Sequence, residues 1–116
     1  LIDGKGVRGI VMVEPGTCNG KVHTDDEIAR LAKTPIFILF GDHLSSPTKL
    51  PGPSWEDRFN DCKAFKARVD AVKGDVRLMT TVDAGVRGNS HMMMMDRNSL
   101  QIADLILAWI DDKAGR

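Results

Sequence analysis

Four side chains that could take part in acid–base chemistry follow the ends of three apolar runs in the sequence. Glu14 follows the first run, Asp42 and His43 follow the second, and His91 lies in the polar stretch after the third. If these runs are parallel strands, their carboxyl ends lie at one edge of a sheet, where the four side chains can converge. A carboxylate that orients a histidine leaves the second ring nitrogen available to take a proton from a nucleophile. The pattern therefore predicts a site suited to acyl transfer.

The elements that must position these residues alternate between strand and helix patterns. Runs rich in β-branched and apolar residues predict three strands, at residues 7–13, 35–40 and 76–81. Helical patterns follow them, at residues 25–33, from residue 54 onward, and at residues 99–113. This alternation is typical of a parallel sheet with right-handed crossovers, and the predicted fold class is therefore α/β.

The starts and the buried faces of the helices can be predicted from local patterns. Two capping boxes mark helix starts, Thr24 with Glu27 and Ser54 with Asp57. The buried face of the second helix is predicted from apolar spacings of three and four, namely Cys62, Phe65, Val69 and Val72. The third helix is expected to bury one side in the same way, through Leu100, Ala103, Ile106, Leu107 and Ile110, with Trp109 beside them.

Composition and charge argue against several classes of protein. The chain has 116 residues, a length that fits one small domain, and 42% of them are apolar, as in a folded globular protein. Its 16 Lys and Arg balance 16 Asp and Glu without a basic cluster, so no nucleic-acid partner is expected. No apolar run approaches the ~20 residues that a membrane span needs, so no membrane partner is expected either.

Two further features allow more than one interpretation. The proline-rich residues 45–53 are predicted to form a surface loop, which is the favoured interpretation. The alternative is a loop that faces a substrate, because loops at the carboxyl ends of parallel strands bind ligands. The four consecutive methionines at 92–95 could offer thioethers to Cu(I), but their side chains point in different directions. Packing near the site is the favoured role of this run, and no metal or organic cofactor is expected.

Several motifs resemble those of one enzyme family. They are VEPG at residues 13–16 with Cys18, FGDH at 40–43, Cys62, GNSHMMM at 88–94, and the segment 96–110 that follows. Through these motifs the chain is similar to the C-terminal part of an α/β-hydrolase, and especially to secreted bacterial esterases that share a GNSHMMM-type histidine motif. The resemblance extends over nearly the whole chain, from residue 7 to residue 110.

The resemblance implies roles for the polar residues at the strand ends. It makes His91 the general base and Glu14 the triad acid, because the usual position of the acid is occupied here by Leu44. Glutamate has one more methylene than aspartate, which gives Glu14 the reach to orient a histidine from the neighbouring strand. Asp42 is a weaker alternative as the acid, and a stronger candidate for holding its loop through backbone N–H groups.

Other residues are expected to support or line the same site. Supporting residues are Asp42, His43 and Asn89, and candidates for the substrate pocket are Met92, Met93 and Leu44. Because Cys18 and Cys62 match positions in the secreted esterases, the resemblance also favours a disulfide between them over two unpaired buried thiols. Such a bond would tie the loop after Glu14 to the second helix.

A nucleophile for this acid–base pair is not recognisable in the sequence. α/β-Hydrolases carry the nucleophilic serine in a G-x-S-x-G turn upstream of the acid and the base. The chain has five serines, none of them in that context: Ser45, Ser46, Ser54, Ser90 and Ser99. Residues 1–116 are therefore expected to be the C-terminal portion of one α/β-hydrolase domain whose nucleophile-bearing N-terminal portion is absent from the chain.

Two hypotheses of different classes remain. The first is a segment of a secreted or periplasmic serine carboxylesterase, which acts on an ester substrate and has the N-terminal segment of the same enzyme, upstream or as a separate chain, as its partner. Alone, the segment should be inactive, and a homodimer is an open alternative for its assembly. The second hypothesis is a non-catalytic α/β binding or assembly module that keeps the site residues without a nucleophile.

Overall fold

A three-stranded parallel sheet forms the centre of the structure, a computed structural model that describes residues 6–41, 54–85 and 98–115. The strands are β1 (Ile10–Val13), β2 (Ile36–Phe40) and β3 (Val76–Thr80). The helices are α1 (Asp25–Leu31), α2 (Trp55–Ala71) and α3 (Ser99–Ile110), with a 3₁₀ turn at Val82–Ala84 and a π-helical turn at Asp111–Gly115. The predicted α/β alternation is confirmed, since both neighbouring strand pairs run parallel in the order β1-β2-β3.

The first strand is shorter than the predicted 7–13, and Pro35 explains where it begins. Ile10 pairs with Ile36 and donates its N–H to the carbonyl of Pro35 at 3.0 Å. One step earlier, the parallel ladder needs an N–H from residue 35 to reach the carbonyl of Arg8, and proline has none. The ladder therefore starts at Ile10.

The central strand β2 is buried on both of its faces, as its continuous apolar sequence predicted. Its five side chains are 0–2% exposed. Ile36, Ile38 and Phe40 pack into a core with residues of α1 and α2, whereas Phe37 and Leu39 pack with α3. Helices α1 and α2 thus cover one face of the sheet, and α3 covers the other.

Both predicted capping boxes are present, and they set the starts of α1 and α2. At α1, Glu27 N–H donates to the Thr24 hydroxyl at 3.2 Å, and Thr24 N–H donates to the Glu27 carboxylate at 3.0 Å. At α2, Ser54 and Asp57 exchange the same two bonds, each 3.0 Å long. Each pair satisfies N–H groups that a helix start leaves without a partner in the helix itself.

The predicted buried faces are correct for most of α2 and wrong for much of α3. Cys62, Phe65 and Val69 are buried, but Val72 lies beyond the last residue of α2 and is 49% exposed. In α3 the buried residues are Ile102 and Trp109, whereas Leu100, Leu107 and Ile110 are 78%, 56% and 36% exposed. The face of α3 with Trp109 is the buried one because the Trp109 ring packs edge-on against Phe37 of β2, with the ring centroids 5.6 Å apart.

Among residues 6–41, 54–85 and 98–115, no helix combines the length and the apolar character needed to cross a membrane.

Candidate active site at the carboxyl edge of the sheet

Glu14, the predicted acid, lies directly after β1 in an unusual backbone conformation. Its N–H still donates to the carbonyl of Leu39 at 2.8 Å, so the residue remains attached to β2. Its φ of 49° is in the left-handed region, which costs a non-glycine residue roughly 1–2 kcal/mol. Conformations of this kind are concentrated at functional sites, where the surrounding structure maintains them. The backbone at Glu14 therefore marks this position as more than an ordinary strand end.

The carboxylate of Glu14 extends from the end of β1 to the end of β2. Its Oε1 accepts a hydrogen bond from the backbone N–H of Gly41 at 2.6 Å, and its Oε2 is shielded from solvent. Gly41 directly precedes Asp42 and His43 in the sequence. An ionised carboxylate has acceptor positions on both oxygens, so one that is oriented by a main-chain donor can also receive the N–H of an imidazole. The arrangement suits a residue that orients a histidine.

Thr81 adds a buried hydroxyl at the same edge, which the sequence reasoning missed. The residue follows β3, is 0% exposed, and donates its N–H to the carbonyl of Phe40 at 2.8 Å. Within the described part of the chain, its Oγ1 is buried without a hydrogen-bond partner. The only signal in the sequence was its place as the last residue of the predicted strand 76–81.

The predicted disulfide is present and ties the segment after Glu14 to α2. Cys18 and Cys62 have a sulfur–sulfur distance of 2.04 Å, and both residues are buried. Their Cα atoms lie 5.0 Å apart, within the usual range for a disulfide. The bond joins residues 44 positions apart and so holds the loop that follows the candidate acid against the helix beneath it.

Asp61, next to Cys62, holds the same loop through its carboxylate, and this residue was also missed. Its oxygens accept hydrogen bonds from the N–H of Cys18 at 2.8 Å, the N–H of Gly20 at 3.0 Å and the hydroxyl of Thr17 at 2.8 Å. Gly20 approaches α2 so closely that a Cβ there would lie 2.5 Å from the carbonyl oxygen of Asp61. We call this set, Thr17, Cys18, Gly20, Asp61 and Cys62, the loop clamp.

The hydrogen bonds of the loop clamp lower the pKa of the Asp61 carboxyl. Partial burial raises the pKa of this carboxyl, but the hydrogen bonds from Cys18, Thr17 and Gly20 outweigh that effect and hold the pKa below its ordinary value. Because the folded-state pKa is depressed, the stabilisation is fully present above the pKa of an unfolded aspartate, about 3.9. It is lost as the pH falls from that value through the folded-state pKa.

We expect Asp61→Asn to lower the free energy of unfolding at neutral pH by about 1–3 kcal/mol, because the amide loses the charge and cannot satisfy all three donors. Urea unfolding of the naturally expressed protein, repeated at several pH values between 7 and 2, measures this change in the free energy of unfolding. The difference from the unmodified protein should shrink below about pH 4, where the carboxyl itself becomes protonated. Asp26→Asn, at an exposed aspartate outside the loop clamp, is the matched control. An equal loss from both variants would contradict the role given to Asp61.

Several predicted site residues lie outside the described residues, namely Asp42, His43, Leu44, Asn89, His91, Met92 and Met93. The described residues that precede them are Gly41, after β2, and Gly85, which closes the 3₁₀ turn after β3 with a φ of 79°. Gly41 and Gly85 thus both follow the carboxyl ends of strands, as Glu14 does. In the described ranges, no group of three or more His, Cys, Asp or Glu side chains could hold a metal ion.

Comparison with known proteins shows similarity to an esterase and a lipase. A solved bacterial esterase, described as a novel bacterial esterase at atomic resolution, is 41% identical to this chain and superimposes with a TM-score of 0.80. That similarity covers 95% of this chain and 32% of the esterase. The fungal "Probable secreted lipase phiG" (strain ATCC 74256) is 44% identical over 36 residues, which are 31% of this chain and 10% of the lipase. No family model matches. The chain thus spans about a third of the length of the bacterial esterase.

Proposed function

We propose that this chain, which adopts part of the α/β-hydrolase fold, supplies the acid and the base of a carboxylic ester hydrolase. The observation that carries the proposal is the geometry of Glu14. Its left-handed backbone and its bond to Gly41 hold a shielded carboxylate at the carboxyl edge of the sheet, next to the residue that precedes Asp42 and His43 in the sequence. The similarity to a bacterial esterase supports the reaction class.

In the proposed reaction, His91 acts as the general base and Glu14 orients it. His91 takes the proton of a serine hydroxyl while the serine oxygen attacks the ester carbonyl, and the negative charge passes to the carbonyl oxygen. When the tetrahedral intermediate collapses, the bond to the alcohol breaks and His91 delivers its proton to the leaving alcohol. His91 then activates a water that attacks the acyl-enzyme, and the acid and the serine are released. Glu14 stays ionised throughout and stabilises the imidazolium.

In the proposed reaction the nucleophile lies outside the 116 residues. None of the five serines of the chain lies in a G-x-S-x-G turn, which is the context that exposes an α/β-hydrolase nucleophile. The N-terminal portion of the same hydrolase, upstream or as a separate chain, therefore supplies the serine. The disulfide favours an oxidising compartment, and together with the secreted lipase among the relatives it supports an extracellular location.

Labelling with a fluorophosphonate probe tests this assignment, because the probe reacts with a serine only when a base activates it. We expect the naturally expressed protein to be labelled at one serine of a G-x-S-x-G turn outside these residues. Peptide mass spectrometry of the labelled protein locates the modified serine. Labelling at any of the five serines of this chain would overturn the placement of the nucleophile. Complete absence of labelling and of ester turnover would favour the non-catalytic module instead.

A further inference from the structure

The peptide unit between Phe40 and Gly41 is hydrogen-bonded on both sides at the carboxyl edge of the sheet. Its carbonyl oxygen accepts the N–H of Thr81 at 2.8 Å, and its N–H donates to Oε1 of Glu14 at 2.6 Å. In a planar trans peptide these two groups point in opposite directions, here toward the ends of β3 and β1. One rigid unit therefore joins the residue after β3 to the candidate acid after β1.

The Glu14 carboxylate occupies a position that a main-chain carbonyl has in a regular sheet. Val13 pairs with Leu39, and the N–H of Glu14 donates to the carbonyl of Leu39. One step further, a regular parallel ladder would send the N–H of Gly41 to the main-chain carbonyl of Glu14. Here Oε1 of the same residue accepts it. The direction of this carboxylate consequently depends on the direction in which the Gly41 N–H points.

The turn after β3 fixes the N–H of Thr81 in place. Thr80 N–H donates to the Asp83 carboxylate at 2.9 Å, and Asp83 N–H donates to the Thr80 hydroxyl at 3.3 Å. This is the reciprocal pattern of a capping box. Between these two residues, Thr81 has a φ of −63° and a ψ of −28°, and its carbonyl accepts the N–H of Ala84 at 3.1 Å. Thr81 is therefore held from both of its main-chain groups.

The two hydrogen bonds of the Phe40–Gly41 peptide strengthen each other. A carbonyl that accepts a hydrogen bond polarises the N–H of the same peptide, and such coupling strengthens each bond by roughly 10–30%. The bond to Glu14 is short for an N–H donor, as is typical when the acceptor is a carboxylate. Phe40 and Thr81 are both 0% exposed, so water does not replace either bond. Loss of the Thr81 N–H would thus weaken and loosen the donor that holds the acid.

We propose that Thr81 is a positioning residue for the triad acid and acts on Glu14 through the Phe40–Gly41 peptide. The Thr81 N–H fixes the plane of this peptide, and the plane fixes Oε1 of Glu14. The second carboxylate oxygen is thereby presented to the imidazole of His91 in one direction. The inference rests on the proposed function, in which Glu14 orients His91.

Two substitutions at Thr81 separate its N–H from its side chain. Thr81→Val keeps the N–H and nearly the same shape, and within the described residues the hydroxyl that it removes has no hydrogen-bond partner. Thr81→Pro removes the N–H without straining the backbone, because the φ of −63° is the value that proline requires. The preceding residue, Thr80, is the last of β3 and has the extended conformation that a residue before proline prefers.

Steady-state kinetics of the naturally expressed protein on a chromogenic ester test the positioning role. Thr81→Pro should lower kcat by about 10–100-fold with little change in KM, since a displaced acid affects the transition state more than substrate binding. The conservative variant Thr81→Val should retain kcat. Because Thr81 acts through Glu14, Thr81→Pro should change kcat by less than about twofold when Glu14→Gln is already present. Equal losses from the two Thr81 variants, or an undiminished loss in the Glu14→Gln protein, would overturn the proposal.

Asp83→Ala is the second variant, for use if Thr81→Pro does not fold. Asp83 is exposed, and its replacement removes only the two bonds that it exchanges with Thr80. We expect a loss in kcat of about three- to tenfold, which should again disappear in the Glu14→Gln protein. An unchanged kcat would contradict the role given to the turn and to Thr81.

Hydrogen exchange of the Gly41 N–H tests the same contact without ester turnover. Exchange should be about tenfold faster in Thr81→Pro and in Glu14→Ala, and unchanged in Thr81→Val. This pattern in a protein with neither fluorophosphonate labelling nor turnover would contradict the proposed function, while the hold of the peptide on Glu14 would stand. A labelled and active protein in which Thr81→Pro changes neither kcat nor Gly41 exchange would contradict the positioning role alone.

Discussion

Replacing Glu14 by glutamine should lower kcat for ester hydrolysis by about 10³–10⁴-fold, with little change in KM. An amide has nearly the shape of the carboxylate and leaves packing intact, but it has no negative charge to stabilise the imidazolium of His91. It can also present its NH₂ group and favour the wrong tautomer of the imidazole. Steady-state kinetics of the naturally expressed protein on a chromogenic ester measure the effect.

Matched variants distinguish the catalytic acid from other carboxylates. Glu56→Gln makes the same chemical change at an exposed residue in the first turn of α2, and it should leave kcat unchanged. Asp42→Asn tests the alternative acid and should cost much less than Glu14→Gln. His91→Ala sets the scale for complete loss of base catalysis. If Asp42→Asn inactivated the enzyme while Glu14→Gln remained active, Asp42 would be the acid.

Removal of the disulfide should produce the largest loss of stability among these changes. Cys18→Ser with Cys62→Ser opens a covalent link between residues 44 positions apart, and closures of that length typically contribute about 2–4 kcal/mol. Both positions are buried, so the serine hydroxyls must also find partners in an apolar core. Urea unfolding of the naturally expressed protein, followed by circular dichroism, measures the difference.

A reducing agent is the control for this prediction. It should shift the unfolding midpoint of the unmodified protein toward that of the double variant and should leave the double variant unaffected. Activity should fall with the disulfide as well, since the bond holds the loop that follows Glu14. A midpoint that neither reduction nor the double substitution changes would contradict a stabilising role for the bond.

The elements of the fold were predictable because their signals lie within a few residues of one another. A capping box needs Thr24 and Glu27, three residues apart, and the burial of β2 follows from five consecutive apolar residues. The limits of the elements were less accurate. The start of β1 depends on Pro35, which lies just before β2, and the predicted 25–33 helix ends at Leu31. Those limits depend on partners that a local pattern does not contain.

The spacing of apolar residues was not sufficient to predict which face of α3 is buried. The helix is apolar on more than one side, so spacings of three and four fit two different stripes. In the expected stripe Leu100 and Leu107 are exposed, while Ile102 and Trp109 pack on the sheet. Only the position of Phe37, on a strand more than sixty residues earlier, decides between them through its contact with Trp109.

For the candidate site, too, some features were predictable from the sequence and others depend on the tertiary structure. By itself the sequence determined the residue types at the strand ends, the parallel α/β alternation and, through the resemblance, the pairing of Cys18 with Cys62. Only the tertiary structure decided that the Glu14 carboxylate lies on Gly41 and that Asp61 holds the loop of Thr17 and Cys18. These contacts join residues 27 to 44 positions apart. Their distances follow from the register of β1 on β2 and from the packing of α2, which no local pattern specifies.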